Sequence, residues 1–209
     1  MSAPSLPKRG MRTFKCYRFV ESNLKSSNGN IQWTVGDWVK HTGPLSLCES
    51  GLHACKEPLD SLNNVYGDRW FQVEARGNIV EGDDKFCASE MRLVREIPLA
   101  VIRRHALDFA ERVYGIWVKE YPEDLRVRVS LDATRAYLDD PNKETEAKMI
   151  KAAEAAWAAR AAGAAWVAWA AGVAGAAGAA GVAGVAGAAE QKWQKAHLRQ
   201  LIKEEMGTK

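Results

Sequence analysis

The sequence predicts an α+β protein in which a small mixed β-sheet N-terminal domain precedes an all-α, Ala/Gly-rich helical domain. Three observations support this fold class. Apolar and polar residues alternate in short runs through the first half, which is the period of a half-buried strand. From Leu99 onward, apolar residues recur every three or four positions, as on a helix. Residues 151–189 are almost pure Ala, Gly, Val and Trp, and alanine is the strongest helix former.

Composition divides the chain into three regions: residues 1–13 as a flexible basic tail, 14–98 as the α+β domain, and 99–209 as the helical domain. The tail carries basic residues such as Lys8 and Arg9, but no apolar segment of the kind that a signal peptide needs follows it. We therefore expect a cytoplasmic protein. The net charge of +3 is too small to indicate nucleic-acid binding, and no nucleic-acid partner is expected.

The first half shows four strand signals and one short helix. Alternation predicts strands over residues 13–20, 31–40, 70–76 and 87–97. The second of these contains Gly36 and Asp37, so a turn or bulge is expected within it. Pro58 suits the first turn of a short helix, because its missing N–H has no intrahelical partner there. Residues 82–85 form a turn signal before the last strand.

The second half has helical periodicity. Helices are predicted over residues 101–121, 125–138, 146–172 and 191–206. Pro122 ends the first of them, because proline disfavours helical geometry in the residue before it. The linker at residues 139–142 separates the second helix from the Ala-rich segment. We expect residues 99–204 to be helical throughout, with tryptophan side chains, Trp117 among them, supplying most of the bulk between small residues.

The Ala/Gly run has two interpretations. It degrades into triplets with glycine at positions 172, 175, 178, 181, 184 and 187, and each glycine costs roughly 1 kcal/mol inside a helix. Trp166 and Trp169 belong to one apolar stripe, and Trp193 ends a second stripe on the opposite side of a continuous helix. A break between the stripes would let both face one core. We therefore favour two closely packed helices over one long helix.

A membrane-spanning role is not expected for this run. Its uncharged length and small-residue spacing would suit packed transmembrane helices. Insertion into a bilayer, however, is driven by Leu, Ile, Phe and Val, and residues 161–189 contain no Leu, Ile or Phe. The sequence therefore favours an Ala-rich helical bundle outside the membrane.

Four cysteines, all in the first half, raise the question of a metal site. They are Cys16, Cys48, Cys55 and Cys87, and His53 lies between the second and third. Zinc sites commonly use short paired spacings such as C-x2-C, whereas Cys48 and Cys55 are separated by six residues. We predict that the protein holds no metal ion and that the cysteines are small buried residues on strands. Disulfides are not expected in a cytosolic protein.

The segment Cys48-Glu-Ser-Gly-Leu-His-Ala-Cys55-Lys-Glu-Pro-Leu-Asp60 is the most distinctive in the chain. Together with Phe71-Gln-Val-Glu-Ala75 and Gly82-Asp-Asp-Lys85, it resembles a domain of unknown function that is common in phage genomes. The resemblance covers about residues 14 to 97. Leu52 stands where that family more usually has Phe. The resemblance implies phage association but no activity.

A second resemblance covers about residues 104 to 204. Phe109-Ala-Glu-Arg-Val113, Glu120-Tyr-Pro-Glu-Asp124, Asp132-Ala-Thr-Arg-Ala-Tyr137 and the Ala/Trp-rich run are similar to a family of all-helical immunity proteins. That resemblance implies neutralisation of a partner by binding. Gly triplets replace much of the family's usual Ala/Arg/Trp tract, so the helix is expected to be less regular here.

These observations favour a phage or mobile-element accessory protein that acts by protein binding, as an anti-defence or immunity-type inhibitor. The expected partner is a host or rival protein, no cofactor is expected, and a homo-oligomer is left open. Tryptophan is enriched at binding hot spots. The candidate binding-surface residues are Trp157, Trp166, Trp169 and Trp193.

An enzyme remains the first alternative. Short strands, a Gly-x-His segment followed by a small helix, and a late Ser-Glu pair are similar in layout to the ADP-ribosyltransferases. That resemblance implies NAD as cofactor and Arg18, His53 and Glu90 as the residues that bind it or act on it. Layout alone is weak support for an activity. A structural component is the second alternative.

Overall fold

The computed structural model describes residues 13–28, 31–159 and 184–207. The chain forms two compact units, Met1–Glu96 and Ile97–Lys209, and each is described by itself. The first unit contains an antiparallel five-stranded sheet and the second contains helices, so the predicted α+β fold class is confirmed.

Within residues 13–28 and 31–97, the N-terminal unit contains five strands and one short helix. They are β1 (Phe14–Val20), β2 (Val39–Lys40), β3 (Leu52–Ala54), α1 (Pro58–Ser61), β4 (Arg69–Glu81) and β5 (Phe86–Ile97). The strands predicted over residues 13–20, 70–76 and 87–97 are confirmed as β1, β4 and β5. The short helix begins at Pro58, as predicted. Alternation therefore located every long strand in this unit.

The sheet curls until its two sides meet. The strand order is β1-β4-β5-β2, and β3 pairs with β5 beside the short strand β2. Just after β3, Cys55 exchanges two backbone hydrogen bonds with Tyr17 of β1, at 2.8 and 2.9 Å. This exchange joins the last side of the sheet to the first. It connects β1 and β3 at one level only, because no ladder between these two strands continues among the described residues.

The inner face of the curled sheet carries the core. Alternate residues of β1 and β4 point inward, and the buried set includes Cys16, Val20, Phe71, Val73 and Ala75. Full burial of the Val and Phe side chains in this set contributes about 1.5–3 kcal/mol each. Hydrophobic burial on this face is therefore the main stabilising term of the N-terminal unit.

The inward side of β5 changes along its length. Phe86 and Ala88 point inward near the start of the strand, whereas Met91 and Leu93 do so further on. Gly77 of β4 has a left-handed φ of +85°, and its neighbour Asn78 donates its backbone N–H to the Ser89 hydroxyl at 2.9 Å. Such irregularities bend strands. This one helps the long β4–β5 pair to curl.

The strand predicted over residues 31–40 is wrong for most of its length. Only Val39–Lys40 forms a strand, and the remainder contributes isolated bridges from Gln32 and Val35. The alternation instead reflects one inward anchor, because Trp33 is almost fully buried in the core. Its indole N–H donates to the Ser26 hydroxyl at 2.9 Å. The segment is a loop that Trp33 anchors to the core of the sheet.

The C-terminal unit is helical in its described part. The helices are α2 (Leu99–Glu120), α3 (Arg126–Asp139), α4 (Lys143–Ala159) and α5 (Gly184–Gly207). The first two confirm the predictions, and α5 is already helical at Gly184, before the predicted start at residue 191. Helix α4 also begins earlier, because the Asn142 side chain accepts the backbone N–H groups of Glu144 and Thr145 at 2.9 and 3.0 Å. This is an N-cap that the periodicity does not reveal.

A compact apolar cluster holds α2 and α3 together. It contains Leu107, Phe109, Ala110, Trp117, Val127 and Leu131. The predicted role of Trp117 as core bulk is confirmed, since only 3% of it is exposed. Residues 160–183, which carry Trp166, Trp169 and most of the Gly triplets, lie outside the described residues. The choice between one long helix and two packed helices therefore stays a prediction.

Within residues 13–28, 31–159 and 184–207, no helix is both long enough and apolar enough to span a membrane.

Candidate functional site

A cleft opens where β1 and β3 separate. Beyond the Tyr17–Cys55 bridge the two strands no longer pair, because β3 turns to hydrogen-bond with β5. The resulting cavity has a volume of about 420 Å³. One wall is formed by Arg18 and Phe19 of β1, and the opposite wall by Gly51 and His53. Divergence of two strands from one bridge is therefore what creates the site.

Arg18 lies on the core side of β1, beside Trp33. Its guanidinium carbon lies 4.4 Å from the Trp33 ring centroid, within the range of a cation–π interaction. Nη2 donates to the Ser26 hydroxyl at 3.1 Å, and Nη1 lies 3.9 Å from the Met91 sulfur. Burial lowers the pKa of Arg18 to about 10, so the group is still charged at neutral pH. The cleft thus contains a fixed positive charge.

The opposite wall is a tight turn fixed by His53. The backbone N–H of Cys48 donates to Nε2 of His53 at 2.9 Å. Burial lowers the pKa of His53, with a smaller opposing effect from a hydrogen bond to the Gly51 backbone. The ring is therefore a neutral acceptor at Nε2 at neutral pH. A histidine that accepts a backbone bond in this way holds the turn and is poorly placed to act as a general base.

Two backbone conformations explain the residue pattern of this turn. Gly51 has a φ of +118°, and a Cβ added there would lie 2.8 Å from Leu45 and 3.1 Å from Cys87. Cys48 also has a left-handed φ, of +68°. The turn needs glycine at position 51, and His53 satisfies the Cys48 amide. The distinctive Cys48–Cys55 segment is therefore explained first by local geometry.

A second cation lies at the rim of the cleft. Nζ of Lys85 donates to Oδ1 of Asn64 at 3.4 Å, and a hydrogen bond to Cys48 raises the pKa of Lys85. The Asn64 amide also donates to Asp84 at 3.0 Å. The rim is completed by Tyr66, which is 53% exposed. Sequence reasoning did not select Lys85 or Tyr66, although Lys85 belongs to the Gly82–Lys85 turn that it singled out.

The structure brings together only two of the three residues of the enzyme hypothesis. Arg18 and His53 both line the cleft. Glu90 lies elsewhere on β5, where its carboxylate pairs with Arg76 at 2.8 Å and Lys40 at 3.7 Å. Glu90 is thus part of a surface ion-pair group on the sheet. The arrangement expected for an ADP-ribosyltransferase-like site is incomplete in this cleft.

The cysteines are thiols without a disulfide. Cys16, Cys55 and Cys87 are buried, and burial raises the pKa of each thiol, to about 12 for Cys55. Cys48 is exposed. Thiols with raised pKa values are poor nucleophiles at neutral pH. The expectation of small buried cysteines on strands holds for Cys16 and Cys87.

The absence of a bound metal stays a prediction. Across the described ranges, no three His, Cys, Asp or Glu side chains are placed to hold a metal ion. We expect elemental analysis of purified protein to find less than about 0.1 zinc per chain, because structural zinc needs a complete tetrahedral ligand set. One zinc per chain would contradict the prediction.

Of the candidate binding-surface tryptophans, the structure describes the surroundings of Trp193, which is half-buried on α5. This ring lies between His197, with centroids 4.6 Å apart, and the Arg112 guanidinium at 4.8 Å. It also packs against the helical core, and its role in a binding surface stays a prediction. The side chain of Trp157, and Trp166 and Trp169 entirely, lie outside the described residues.

The helical unit has an apolar groove that sequence reasoning missed. The groove has a volume of about 680 Å³ and lies between the α2–α3 turn and α4. Leu125 and Val129 line it and are 61% and 55% exposed, and Tyr121 is 42% exposed. Glu123 on its rim is exposed and has no ion-pair partner among the described residues. Large apolar side chains seldom remain this exposed together unless they serve a contact.

Comparison with known proteins gives one family match, over the N-terminal part of the chain. Residues 14–105 match the model of a family described as a domain of unknown function, DUF7666. A domain of this family therefore covers the N-terminal part of the chain and reaches into α2. No curated protein and no solved structure matches the chain.

Proposed function

We propose that this protein acts by binding another protein through its helical unit, as an accessory inhibitor of a host or rival protein in the cytoplasm. The exposed groove carries the proposal. Leu125, Val129 and Tyr121 line it with 61%, 55% and 42% of their surfaces exposed. Burying such side chains at an interface contributes about 25 cal/mol for each Å² of apolar surface. The phage association and the anti-defence role rest on the two sequence resemblances.

The groove indicates the chemistry of the partner. Its floor includes small residues of α4, Ala152 and Ala155, which leave room for a bulky side chain. The rim carries the exposed Glu123, whereas Asp124 is already paired with Arg126 at 2.7 Å. A partner segment with a large apolar anchor and a neighbouring Lys or Arg would complement both features. We therefore assign the groove to a protein ligand of that kind.

Substitution in the groove tests the proposal. We expect Leu125→Asp and Val129→Asp to weaken partner binding at least about 10-fold, because hot-spot changes cost about 2 kcal/mol or more. Both positions are exposed, so folding should be retained. The measurement is affinity purification with wild type from the cell that carries the gene, followed by titration of the purified partner with each variant.

Val65→Asp is the matched control, because Val65 is 46% exposed but lies in the N-terminal unit. Its binding should equal that of wild type. Equal binding by Leu125→Asp and Val129→Asp would contradict the proposal. So would a wild-type dimer that Leu125→Asp converts to a monomer, because the groove would then be occupied by a second copy.

The NAD-dependent alternative has its own test. Wild type, Glu90→Gln and His53→Ala are incubated with labelled nicotinamide dinucleotide and host lysate. We expect no label transfer from any of them, because Glu90 is engaged by Arg76 and Lys40 outside the cleft. Transfer by wild type that Glu90→Gln abolishes would favour the enzyme.

A further inference from the structure

We propose that the cleft between β1 and β3 binds a small phosphate monoester, with its phosphoryl group on the guanidinium of Arg18. This site lies in the N-terminal unit and is independent of the partner groove. It would give the domain a ligand in the class of sugar phosphates and nucleoside monophosphates.

Arg18 has donors left for a ligand. A guanidinium carries five N–H donors in a rigid fork. Nε donates to the Phe19 carbonyl at 3.4 Å, and Nη2 uses one donor on Ser26 at 3.1 Å. Among the described residues, Nη1 has only the weak Met91 sulfur contact, at 3.9 Å. Both Nη atoms therefore keep N–H groups, and such a fork matches the spacing of two phosphate oxygens.

Arg18 also lacks a compensating charge. In the described part of the chain, no carboxylate lies within ion-pair distance of its guanidinium. The carboxylate in the cavity wall belongs to Glu49, which instead accepts the Ser46 hydroxyl at 2.7 Å on an exposed turn. A partly buried cation without an ion-pair partner is destabilising, and a bound anion would offset that cost. Lys85 at the rim adds a second positive charge.

The backbone of β1 adds a donor beside Arg18. Successive residues of a strand direct their N–H and C=O groups to opposite edges. Tyr17 directs both groups to Cys55, so Phe19, two residues further, directs its own toward the same edge, where the cleft has opened. The Phe19 carbonyl already accepts Nε of Arg18. Its N–H therefore lies on the cleft side, next to the guanidinium.

The size and lining of the cavity favour an organic monoester over inorganic phosphate. A volume of about 420 Å³ exceeds what a free phosphate fills. Tyr66 and Ile31 add apolar surface, and Ser27 and Asn28 add polar groups that could bind ribose hydroxyls. Small-molecule sites have this composition, with a few polar groups set among apolar ones. The remainder of the ligand would lie along these residues.

Calorimetric titration with four probes tests the assignment. The probes are AMP, ribose 5-phosphate, adenosine and inorganic phosphate. We expect saturable one-to-one binding of at least one of the two monoesters. Adenosine and inorganic phosphate should bind at least about 10-fold more weakly, because one lacks the charge and the other lacks the organic part. The ratio between AMP and ribose 5-phosphate distinguishes nucleotide from sugar phosphate.

Variants locate the binding. Arg18→Gln and Lys85→Gln should each weaken the monoester at least about 10-fold through loss of a charge-assisted bond. Arg69→Gln is the matched control, because Arg69 also stacks on an aromatic ring, that of Phe71 at 5.4 Å, but lies outside the cleft. Arg18→Met adds a structural readout. It should abolish binding and keep or raise the melting temperature, because it removes a partly buried charge that has no ion-pair partner among the described residues.

Four results would overturn the proposal. The first is no saturable binding of either monoester to folded wild type at 1 mM, a concentration at which about −4 kcal/mol of binding energy would half-saturate the site. The second is adenosine or inorganic phosphate that binds as tightly as the monoester, and the third is binding that neither Arg18→Gln nor Lys85→Gln changes. The fourth is a folded Arg18→Met protein that still binds the monoester. Because Lys85 lies at the rim, its variant keeps the test decisive if a change at Arg18 prevents folding.

Discussion

Gly67→Ala is expected to destabilise the N-terminal unit by about 3 kcal/mol or more. Gly67 precedes β4 with a φ of +145°, which residues with a side chain rarely adopt. An added Cβ would lie 2.3 Å from the carbonyl carbon and oxygen of Val20 and 2.7 Å from the Glu21 nitrogen. These are backbone atoms, so no side-chain rotation can relieve the contact. Thermal unfolding followed by circular dichroism measures the change.

The structural disturbance caused by Gly67→Ala should reach the end of β1. The Asp68 amide donates to the Val20 carbonyl at 3.0 Å, and Val20 pairs with Arg69 in the β1–β4 register. Displacing Gly67 from Val20 breaks this register next to Arg18. Hydrogen exchange of the β1 and β4 amides should therefore accelerate in Gly67→Ala before the helical amides change.

Substitutions at two other glycines separate the cost of backbone strain from the cost of steric contact. Gly36 has a φ of +93° but nothing within 4 Å of an added Cβ, so Gly36→Ala should cost only about 1 kcal/mol. Gly115 lies in helix α2 with open space around it, and Gly115→Ala should stabilise by up to about 1 kcal/mol. A Gly67→Ala protein as stable as Gly36→Ala would contradict the steric argument.

The long strands could be predicted from the local sequence pattern because one face of each strand is buried. Alternation over residues 70–76 and 87–97 predicted β4 and β5, whose alternate side chains fill the core. The same rule failed for residues 31–40, where a single buried tryptophan produced the pattern. Alternation of apolar and polar residues indicates which side chains are buried. Trp33 is buried without pairing to a neighbouring strand, so the pattern did not indicate a strand here.

The site was predicted only in part, because it depends on contacts between distant segments. Arg18 and His53 were selected and do share the cleft. Their roles could not be read from the sequence: Cys48 fixes the His53 ring, and Trp33 orients Arg18. Glu90 was selected from its place in a layout, and its pairing with Arg76 and Lys40 places it elsewhere. Pairings across strands set these outcomes, and no local signal encodes them.

His105 is expected to make the helical unit less stable as the pH falls from about 6.5 toward 4. It lies on α2 with 1% of its surface exposed, and both ring nitrogens lack a hydrogen-bond partner among the described residues. Burial lowers its pKa to about 4, with a smaller contribution from His197. The ring is therefore neutral in the folded unit at neutral pH.

The direction of the change in stability with pH follows from whether the folded or the unfolded chain binds the proton. Between about pH 6.5 and pH 4 the unfolded chain protonates His105 and the folded unit does not, so acid favours unfolding. The stability present above pH 6.5 is lost at about 1.4 kcal/mol for each pH unit, or about 3 kcal/mol in all. Measurement between pH 7.5 and 5 keeps most carboxylates charged and isolates about 2 kcal/mol of this effect.

The groups that face His105 determine whether its protonated ring can be stabilised in the folded unit. From α5, Trp193 and His197 face His105 with ring centroids at 6.4 and 5.6 Å. His197 is hydrogen-bonded to Asp108 of α2 at 2.8 Å, which keeps that carboxylate engaged. Asp108 is therefore already engaged and poorly placed to stabilise a protonated His105, and no ion pair to His105 is present in the described part of the unit.

His105→Leu should flatten the pH dependence of unfolding, followed at 222 nm, and should raise stability at pH 7 by about 1–2 kcal/mol. The gain is expected because leucine has a similar volume and removes two buried polar atoms without partners. His41→Gln is the control, because His41 lies in the N-terminal unit beside Ser50, and it should leave the helical transition and its pH slope unchanged. If His105→Leu retains the wild-type slope between pH 6.5 and 5, the acid sensitivity arises elsewhere and the assignment to His105 is wrong.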